Sequence, residues 1–215
     1  MIVPLATPLH ERLGDALAQI VALLAVPVLL LAIAALLLCA LECGRFATEL
    51  WQRRARRMRA PLRALAAQAV AQPGAAPELA RAAPTTFAGD AVRGIAAAVS
   101  ARRPEVAEHA LADYELAVQR RLDRTRLLVR SGPALGLMGT MIPLAPGLEA
   151  LGEGNMAQLA TDLRIAFAAT VIGLLVGTVA FALTLSRTRM YTEDLTALER
   201  AAASVPDPVP GAVVA

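Results

Sequence analysis

Hydrophobic and polar positions divide the chain into three long apolar runs separated by charged stretches. The first run, from Ala16 to Leu41, contains no charged residue. At about 1.5 Å per residue it is longer than the ~30 Å hydrocarbon core of a bilayer requires. The other two runs cover residues 131–151 and 163–186. The pattern predicts an all-α membrane protein with three transmembrane helices, preceded by a short extracytoplasmic lead at residues 1–15.

The charged stretch between the first two runs, residues 42–130, is predicted to be a helical cytoplasmic region. Helix-forming residues dominate from Asp90 to Arg130, and Pro104 is placed like a first-turn proline. Prolines and glycines in residues 72–90 indicate a linker. The stretch has too little apolar surface for an independent catalytic domain, so we expect a helical stalk.

The second and third runs are predicted to form an antiparallel membrane hairpin. Only residues 152–162 separate them, and we expect this short polar stretch to be an extracytoplasmic loop. Residues 187–215 then form a cytoplasmic tail. Its end, from Ser204 onward, has prolines and almost no charge and is predicted to be disordered.

The distribution of arginine predicts the orientation of the three spans. All 21 basic residues are arginine, and the formal net charge is +3. Seven arginines follow the first run within about one helix length, and cytoplasmic flanks are enriched in such residues. We therefore expect the N-terminus outside, and Arg187 and Arg189 after the third run place the C-terminus inside. The seven are Arg45, Arg53, Arg54, Arg56, Arg57, Arg59 and Arg63.

A stripe of small residues follows one face of each hairpin helix. Small side chains let helices approach closely, and a hydroxyl is a polar group that a membrane interior tolerates. Two interpretations stay open: ordinary helix packing, or a narrow and partly polar passage between helices. The stripes are Gly132, Gly136, Thr140, Pro143 and Gly147, with Gly139 beside them, and Ala166, Thr170, Gly173, Gly177, Ala180 and Thr184.

The spacing of two threonines favours the passage. If the hairpin turns near Asn155, Thr140 lies fifteen residues before the turn and Thr170 fifteen after it. Both hydroxyls would then lie at one level in the bilayer and would form a polar ring when several copies assemble. By the same count Glu149 and Arg164 lie near the outer surface, where either an ion pair or a simple loop-flanking role is compatible with the spacing.

Other chemistry finds little support in the sequence. The two cysteines, Cys39 and Cys43, lie four residues apart on one helix without further ligands, so packing is preferred to a metal site. No phosphate-binding glycine loop, zinc motif or nucleophile elbow is present. No stacking aromatics accompany the arginines, which argues against nucleic acid. We expect neither an enzyme nor a cofactor.

The hairpin resembles a known family. The stretch Gly132-Pro-Ala-Leu-Gly-Leu-Met-Gly-Thr140, followed by Ala-Thr170-Val-Ile-Gly-Leu-Leu, is similar to the signature of the MotA/TolQ/ExbB proton-channel family. The order of elements, one span, a long cytoplasmic helical segment and a two-span hairpin, is also that of the family. One position departs from the ExbB and TolQ pattern, because Ile165 stands where a glutamate is usual.

The resemblance implies a stator-like subunit of a proton-driven motor in the bacterial plasma membrane. Five copies would surround the transmembrane helices of two copies of a single-span ExbD/TolR/MotB-like partner. The partner's aspartate would take up and release the proton, and Thr140 and Thr170 match the family's pore-facing threonines. Two alternatives remain: a non-conducting scaffold or accessory subunit of a transport complex, and a lipid-regulated sensor that uses the arginine-rich segment.

Overall fold

The computed structural model describes residues 7–57 and 61–207, and over these ranges the chain is helical without strands. Three of the helices, α1, α5 and α6, are long and apolar enough to cross a membrane. The chain is therefore an all-α, multi-pass membrane protein, as the hydrophobic pattern predicted. The helices are α1 (Thr7–Arg57), α2 (Leu62–Ala71), α3 (Ala76–Ala82), α4 (Thr86–Ala101), α5 (Pro104–Gly152) and α6 (Met156–Ala202), with a 3₁₀ helix at Pro73–Ala75.

Several sequence predictions lie partly outside the described residues. This applies to residues 1–6 of the predicted lead, to residues 58–60 of the arginine-rich segment and to residues 208–215 of the tail. Within the described part, α1 begins at Thr7, before the predicted start of the first span at Ala16. The polar lead is thus helical from Thr7 onward.

The predicted linker at residues 72–90 is mostly helical. It contains the 3₁₀ helix, α3 and the first residues of α4. Its prolines misled the prediction, because Pro73 and Pro77 occupy first-turn positions where proline is tolerated. Gly89 allows α4 to approach α3, since a Cβ there would lie 2.5 Å from the Ala80 carbonyl oxygen. The glycine is therefore a packing residue and does not mark a loop.

The predicted loop at residues 152–162 is a tight turn. α5 ends at Gly152 and α6 begins at Met156, well before the predicted start at residue 163. Gly154 has φ +75°, a conformation that glycine adopts without strain. Asn155 then caps α6, because its Oδ1 accepts a hydrogen bond of 3.1 Å from the backbone N–H of Gln158. The polar residues after Asn155 lie on the first turns of α6.

The described residues divide into two compact units. The first, which we call the membrane unit, comprises α1 up to Leu41 together with Arg126–Phe181. In it α1 buries one narrow face while most of its leucines stay exposed. The buried positions recur at helical spacing, as expected for a helix that packs along one side only. They are Val28, Ala32, Ala35 and Cys39.

The second unit comprises Glu42–Thr125 and the chain from Ala182 onward. Instead of the predicted stalk, it is a compact unit with a hydrophobic core of its own, formed mainly by small residues of α2 to α6. Phe87 packs on Tyr114 and Tyr191 with ring centroids 5.4 and 5.5 Å away. The core escaped prediction because alanine dominates it and has little apolar surface per residue. Its fully buried members include Ala66, Ala69, Ala88, Val92, Ile95, Ala98 and Leu198.

Candidate functional site

The two hairpin helices of the membrane unit pack through glycine. A Cβ added at Gly173 would lie 2.6 Å from both the Gly136 Cα and the Gly132 carbonyl oxygen. A Cβ added at Gly132 would lie 2.8 Å from the Gly173 carbonyl oxygen. Because these neighbours are backbone atoms, a larger residue at any of the three positions requires the helices to move apart.

The other predicted packing glycines lie in the same contact. A Cβ at Gly139 would lie 2.6 Å from the Ala169 Cβ, and one at Gly177 would lie 2.8 Å from the Pro133 Cδ. We call this contact the glycine seam. It consists of Gly132, Pro133, Gly136 and Gly139 of α5 with Ala169, Gly173 and Gly177 of α6.

The seam fixes the level of the two threonines along the hairpin. Thr140 follows Gly139, Thr170 follows Ala169, and Gly139 contacts Ala169. The helices run in opposite directions, so one step along each moves the two threonines apart by about two residue rises, ~3 Å. The structure therefore brings Thr140 and Thr170 close to the same level, on neighbouring helices.

The same geometry gives the direction of the two side chains. Successive α-helical residues are rotated by ~100°, so Thr140 and Thr170 are each turned by that angle from Gly139 and Ala169, which face each other in the seam. Since the helices are antiparallel, the two rotations have opposite senses and both hydroxyls lie on one side of the hairpin. We call this the threonine side.

Helix α1 packs on the opposite side of the hairpin. The Cys39 thiol donates to the Val176 carbonyl oxygen at 3.9 Å, and Val176 is only 1% exposed. Thr140 and Thr170 are half-buried, and the neighbouring Phe167 is 67% exposed. The threonine side of the hairpin is therefore only partly covered by this chain.

Each threonine hydroxyl is bound to its own helix. The Thr140 Oγ1 donates to the Leu137 carbonyl oxygen at 2.7 Å, and the Thr170 Oγ1 donates to the Ala166 carbonyl oxygen at 3.3 Å. In this state the oxygen lone pairs can accept a hydrogen bond, and rotation about the side chain lets the hydroxyl donate instead. The pair can therefore bind either a donor or an acceptor.

Pro143, the remaining predicted small-face residue, is half-buried inside α5. Proline has no N–H, so the carbonyl of Gly139, four residues earlier, lacks its usual helical donor. This carbonyl belongs to the residue before Thr140. Pro143 thus removes the usual helical donor from a backbone acceptor next to the threonine level.

For Glu149 and Arg164, at the outer end of the hairpin, the sequence leaves open either an ion pair or a simple loop-flanking role. Both side chains are exposed, and no ion pair among the described residues joins them. The buried acid there is Asp162, which lies against Gly147 and accepts two hydrogen bonds of 3.1 Å from the Gln158 side-chain amide. Sequence reasoning missed Asp162 because it fell within the predicted loop.

The second unit contains a buried group of charges between α1 and α6. Arg187 is fully buried, donates to the Glu42 Oε2 at 2.8 Å, and has its Nε 3.8 Å from the Glu49 Oε2. The sequence alone indicates Arg187 only as an orientation signal. In the structure it is an ion-pair partner of two carboxylates.

The group continues along α6 towards its C-terminal end. Arg53 lies 2.8 Å from Asp194 and 3.4 Å from Glu49, and the Tyr191 hydroxyl donates to the Glu49 carboxylate at 2.8 Å. We call the whole set the charge cluster: Glu42, Glu49, Arg53, Arg187, Tyr191 and Asp194. The sequence contains one indication of the charge cluster: Glu42 and Glu49 are seven residues apart and therefore share a face of α1.

Burial changes the proton affinity of two members of the charge cluster, both beyond the apolar run that ends at residue 186. Burial, followed by the Glu49 carboxylate, raises the pKa of Tyr191 to about 12, so the phenol stays a donor. Burial also raises the pKa of Asp194 above its ordinary value, and this effect exceeds the opposing attraction of Arg53. The attraction of Arg53 therefore offsets only part of the cost of burying the ionised Asp194 carboxylate.

Neither unit has an arrangement suited to a metal. In the described part of the chain, no group of three or more His, Cys, Asp or Glu side chains is placed to hold an ion. Neither Cys39 nor Cys43 forms a disulfide. What the membrane unit offers chemically is a pair of hydroxyls and a backbone carbonyl at one level of an apolar hairpin.

Comparison with known proteins identifies a family. The model of the MotA/TolQ/ExbB proton channel family matches residues 93–199, which include α5 and nearly all of α6. No curated protein and no solved structure matches the chain significantly.

Proposed function

Because the chain belongs, over residues 93–199, to the MotA/TolQ/ExbB proton channel family, we propose that it is a stator-like subunit of a proton-driven membrane motor. Several copies, five by analogy with the family, assemble with their threonine sides facing a central space. A single-span partner there has an intramembrane aspartate, and proton flow through the assembly is converted into motion. The assembly lies in the bacterial plasma membrane.

The observation that supports this proposal is the position of Thr140 and Thr170. They share a level and a side of the hairpin, and that side is opposite the one on which α1 packs. The side chains around them, such as Phe167 and Leu174, are large, apolar and exposed. A polar pair surrounded by uncovered apolar surface is what a subunit interface around a central partner requires.

Hydroxyls suit this role because the proton carrier changes its charge. A carboxylate at the centre of a bilayer is unfavourable by about 2.5 kcal/mol or more on insertion scales. When protonated, the partner's acid donates to a threonine oxygen that is already bound to its own helix. When ionised, it accepts from a hydroxyl that has rotated away from the helix. The hydroxyls therefore lower the free-energy cost of the partner's acid in both its protonated and its ionised form. Because neither form is strongly preferred, the acid can take up and release the proton.

The proposed orientation has the N-terminus outside and the C-terminus inside. Arginines dominate the stretch after Leu41, and the number of basic residues near a span determines orientation more than the acids do. The pairing of Arg53 and Arg187 with carboxylates therefore leaves this argument intact. The second unit then lies in the cytoplasm.

The proposal is tested by removing one hydroxyl at a time. The chain is produced with a candidate partner, a single-span protein that has an intramembrane aspartate, and proton flux into liposomes is followed with a pH-sensitive dye. Thr170→Val should reduce flux about tenfold or more, since a hydrogen bond to a charged group contributes ~1.5–3 kcal/mol. Thr140→Val should have a smaller effect, because its hydroxyl is held by the shorter bond to its own helix.

Thr178→Val is the matched control, since Thr178 is an exposed residue of the same apolar helix. It should leave flux unchanged, and native mass spectrometry should find the same subunit number in all three variants. Full flux in Thr170→Val would contradict the assignment of the pathway. An intact assembly that conducts no protons with its partner would instead favour the non-conducting scaffold.

A further inference from the structure

A cavity of about 540 Å³ in the second unit has four arginines among the thirteen residues that line it. Arg45 comes from α1, while three further arginines come from adjacent turns of α5. The start of α4 and Tyr191 of α6 complete the wall. The α5 arginines are Arg120, Arg121 and Arg124.

The charges that line this cavity are far from balanced within the chain. Glu49 is the one carboxylate in its wall, and the Glu49 Oε1 is already bound by Tyr191 and Arg53. Arg121 reaches Glu49 only at 4.0 Å, and Arg45 pairs with Glu42 at 2.8 Å. The wall therefore holds a clear excess of positive charge.

Arg120 and Arg124 account for most of this excess. No ion pair among the described residues includes either of them, and both side chains are exposed. They lie four residues apart on α5, where like charges repel each other and destabilise a helix. An anion between them would remove this repulsion.

The start of α4 adds further hydrogen-bond donors to the wall. Thr85 caps the helix, and its hydroxyl accepts from the Ala88 N–H at 3.3 Å. The residues that follow, Thr86 and Phe87, also line the cavity, and first-turn N–H groups have no acceptor within a helix. Guanidinium groups beside a helix N-terminus form a recurrent environment for phosphate oxygens.

We propose that this cavity, which we call the anion pocket, binds a phosphate group, with Arg120 and Arg124 as its principal ligands. The phosphate belongs either to the headgroup of an anionic lipid or to a soluble phosphate compound. Arg45 follows the apolar run by one helical turn and Arg124 precedes the second run by two, which is compatible with a headgroup. The site does not depend on the proposed proton pathway.

The test uses the full chain purified in a neutral detergent. Dioctanoyl phosphatidylglycerol and inorganic pyrophosphate are titrated separately, with dioctanoyl phosphatidylcholine as the uncharged-lipid control, and binding is measured by calorimetry. At least one anionic probe should bind saturably. The double variant Arg120→Gln/Arg124→Gln should weaken that binding about tenfold or more, because two charge-assisted hydrogen-bonding groups are lost.

A matched control removes the same charge elsewhere. Arg103→Gln/Arg189→Gln changes two exposed arginines outside the pocket and should alter the affinity by less than about twofold, as expected for screened surface charges. If only phosphatidylglycerol binds, the pocket is assigned to a lipid headgroup. If only pyrophosphate binds, it is assigned to a soluble phosphate compound. If the two probes compete with each other, the pocket accepts both. Each of these outcomes supports the pocket.

Three results would overturn the inference. The first is that neither anionic probe binds saturably. The second is that the control variant weakens binding as much as the pocket variant, because the attraction would then come from general surface charge. The third is that the pocket variant changes the subunit number by native mass spectrometry while binding is unaltered, because Arg120 and Arg124 would then serve a contact between copies.

Discussion

The glycine seam and the charge cluster both hold helices together, but they do so by opposite physical means. In the seam, backbone meets backbone, and the distances leave no room even for a methyl group at Gly173. In the charge cluster, long side chains of α1 and α6 meet through ion pairs, the shortest at 2.8 Å. The seam depends on the absence of side chains, whereas the cluster depends on their charge.

The difference determines which changes each region tolerates. The seam is sensitive to volume, because the neighbouring backbone atoms cannot rotate out of the way as a flexible side chain does. The charge cluster is sensitive to imbalance, because the removal of one partner leaves another charge buried without compensation. Substitutions that change only charge or only volume therefore separate the two regions experimentally.

The largest loss of stability is expected for Glu42→Gln in the charge cluster. The substitution keeps the volume but removes the carboxylate that lies 2.8 Å from the fully buried Arg187. Arg187 then keeps only the longer contact of its Nε with Glu49, at 3.8 Å. We therefore expect the free energy of unfolding to fall by about 3 kcal/mol, as is usual when one partner of a buried ion pair is lost. Denaturation in mixed detergent micelles, followed by the fluorescence of Trp51, measures the change.

Two controls sharpen this prediction. Glu78→Gln makes the same exchange at an exposed position of α3 and should be neutral within about 0.5 kcal/mol. The double variant Glu42→Leu/Arg187→Met removes both charges and should be more stable than Glu42→Gln alone. If the double variant is the less stable of the two, the pair is not the dominant contact of Arg187.

The next largest effect is expected for Gly173→Ala in the glycine seam. The added methyl would lie 2.6 Å from atoms of Gly132 and Gly136, so the hairpin helices must separate. Overpacking of this kind destabilises by about 1–3 kcal/mol. The same denaturation measurement applies, and cysteine pairs across the hairpin would show the altered helix contact as a lower cross-linking yield.

The matched control for this prediction is Gly44→Ala in the interior of α1. A Cβ there would meet nothing within 4 Å. Because alanine favours helix over glycine by about 1 kcal/mol, Gly44→Ala should be neutral or mildly stabilising. Equal stability of Gly173→Ala and the wild type would show that the helices are free to separate and that the seam is not a close contact.

The contrast between the two regions also explains what sequence could predict. The three spans follow from apolar runs of sufficient length, and the small-residue stripes identified Gly136 and Gly173, which the structure brings together. Helical periodicity alone places such residues on one face. Within a hairpin of two consecutive helices, that face has only one nearby partner.

The charge cluster escaped prediction because its partners are distant in the chain. Glu42 and Arg187 are separated by 145 positions, and nothing local indicates that they meet. Arginines beside apolar runs have a ready explanation as orientation signals, which hid their role as buried ion-pair partners. The capped start of α6 at Met156 was missed for a different reason, since polar residues on a helix resemble a loop when composition alone is considered.

Among the substitutions that distinguish the charge cluster from the glycine seam, Asp194→Asn is expected to have the smallest effect on stability. Its neighbour Arg53 keeps Glu49 at 3.4 Å, so the loss leaves no charge without a partner. Burial raises the pKa of Asp194 above its ordinary value of 3.8, so the folded state binds this proton more tightly than the unfolded state does. The ionised form is therefore unfavourable in the folded protein, and this penalty disappears as the pH falls through the raised pKa.

Two consequences follow for Asp194→Asn. At neutral pH it should change the free energy of unfolding by only about 1 kcal/mol. The stability of the wild type relative to the variant should increase as the pH is lowered from neutral towards the ordinary carboxyl value of 3.8. Asp113→Asn, at an exposed position of α5, should show no such trend. A relative stability that decreases on acidification would mean that Arg53 outweighs burial, and that the cluster favours the ionised Asp194.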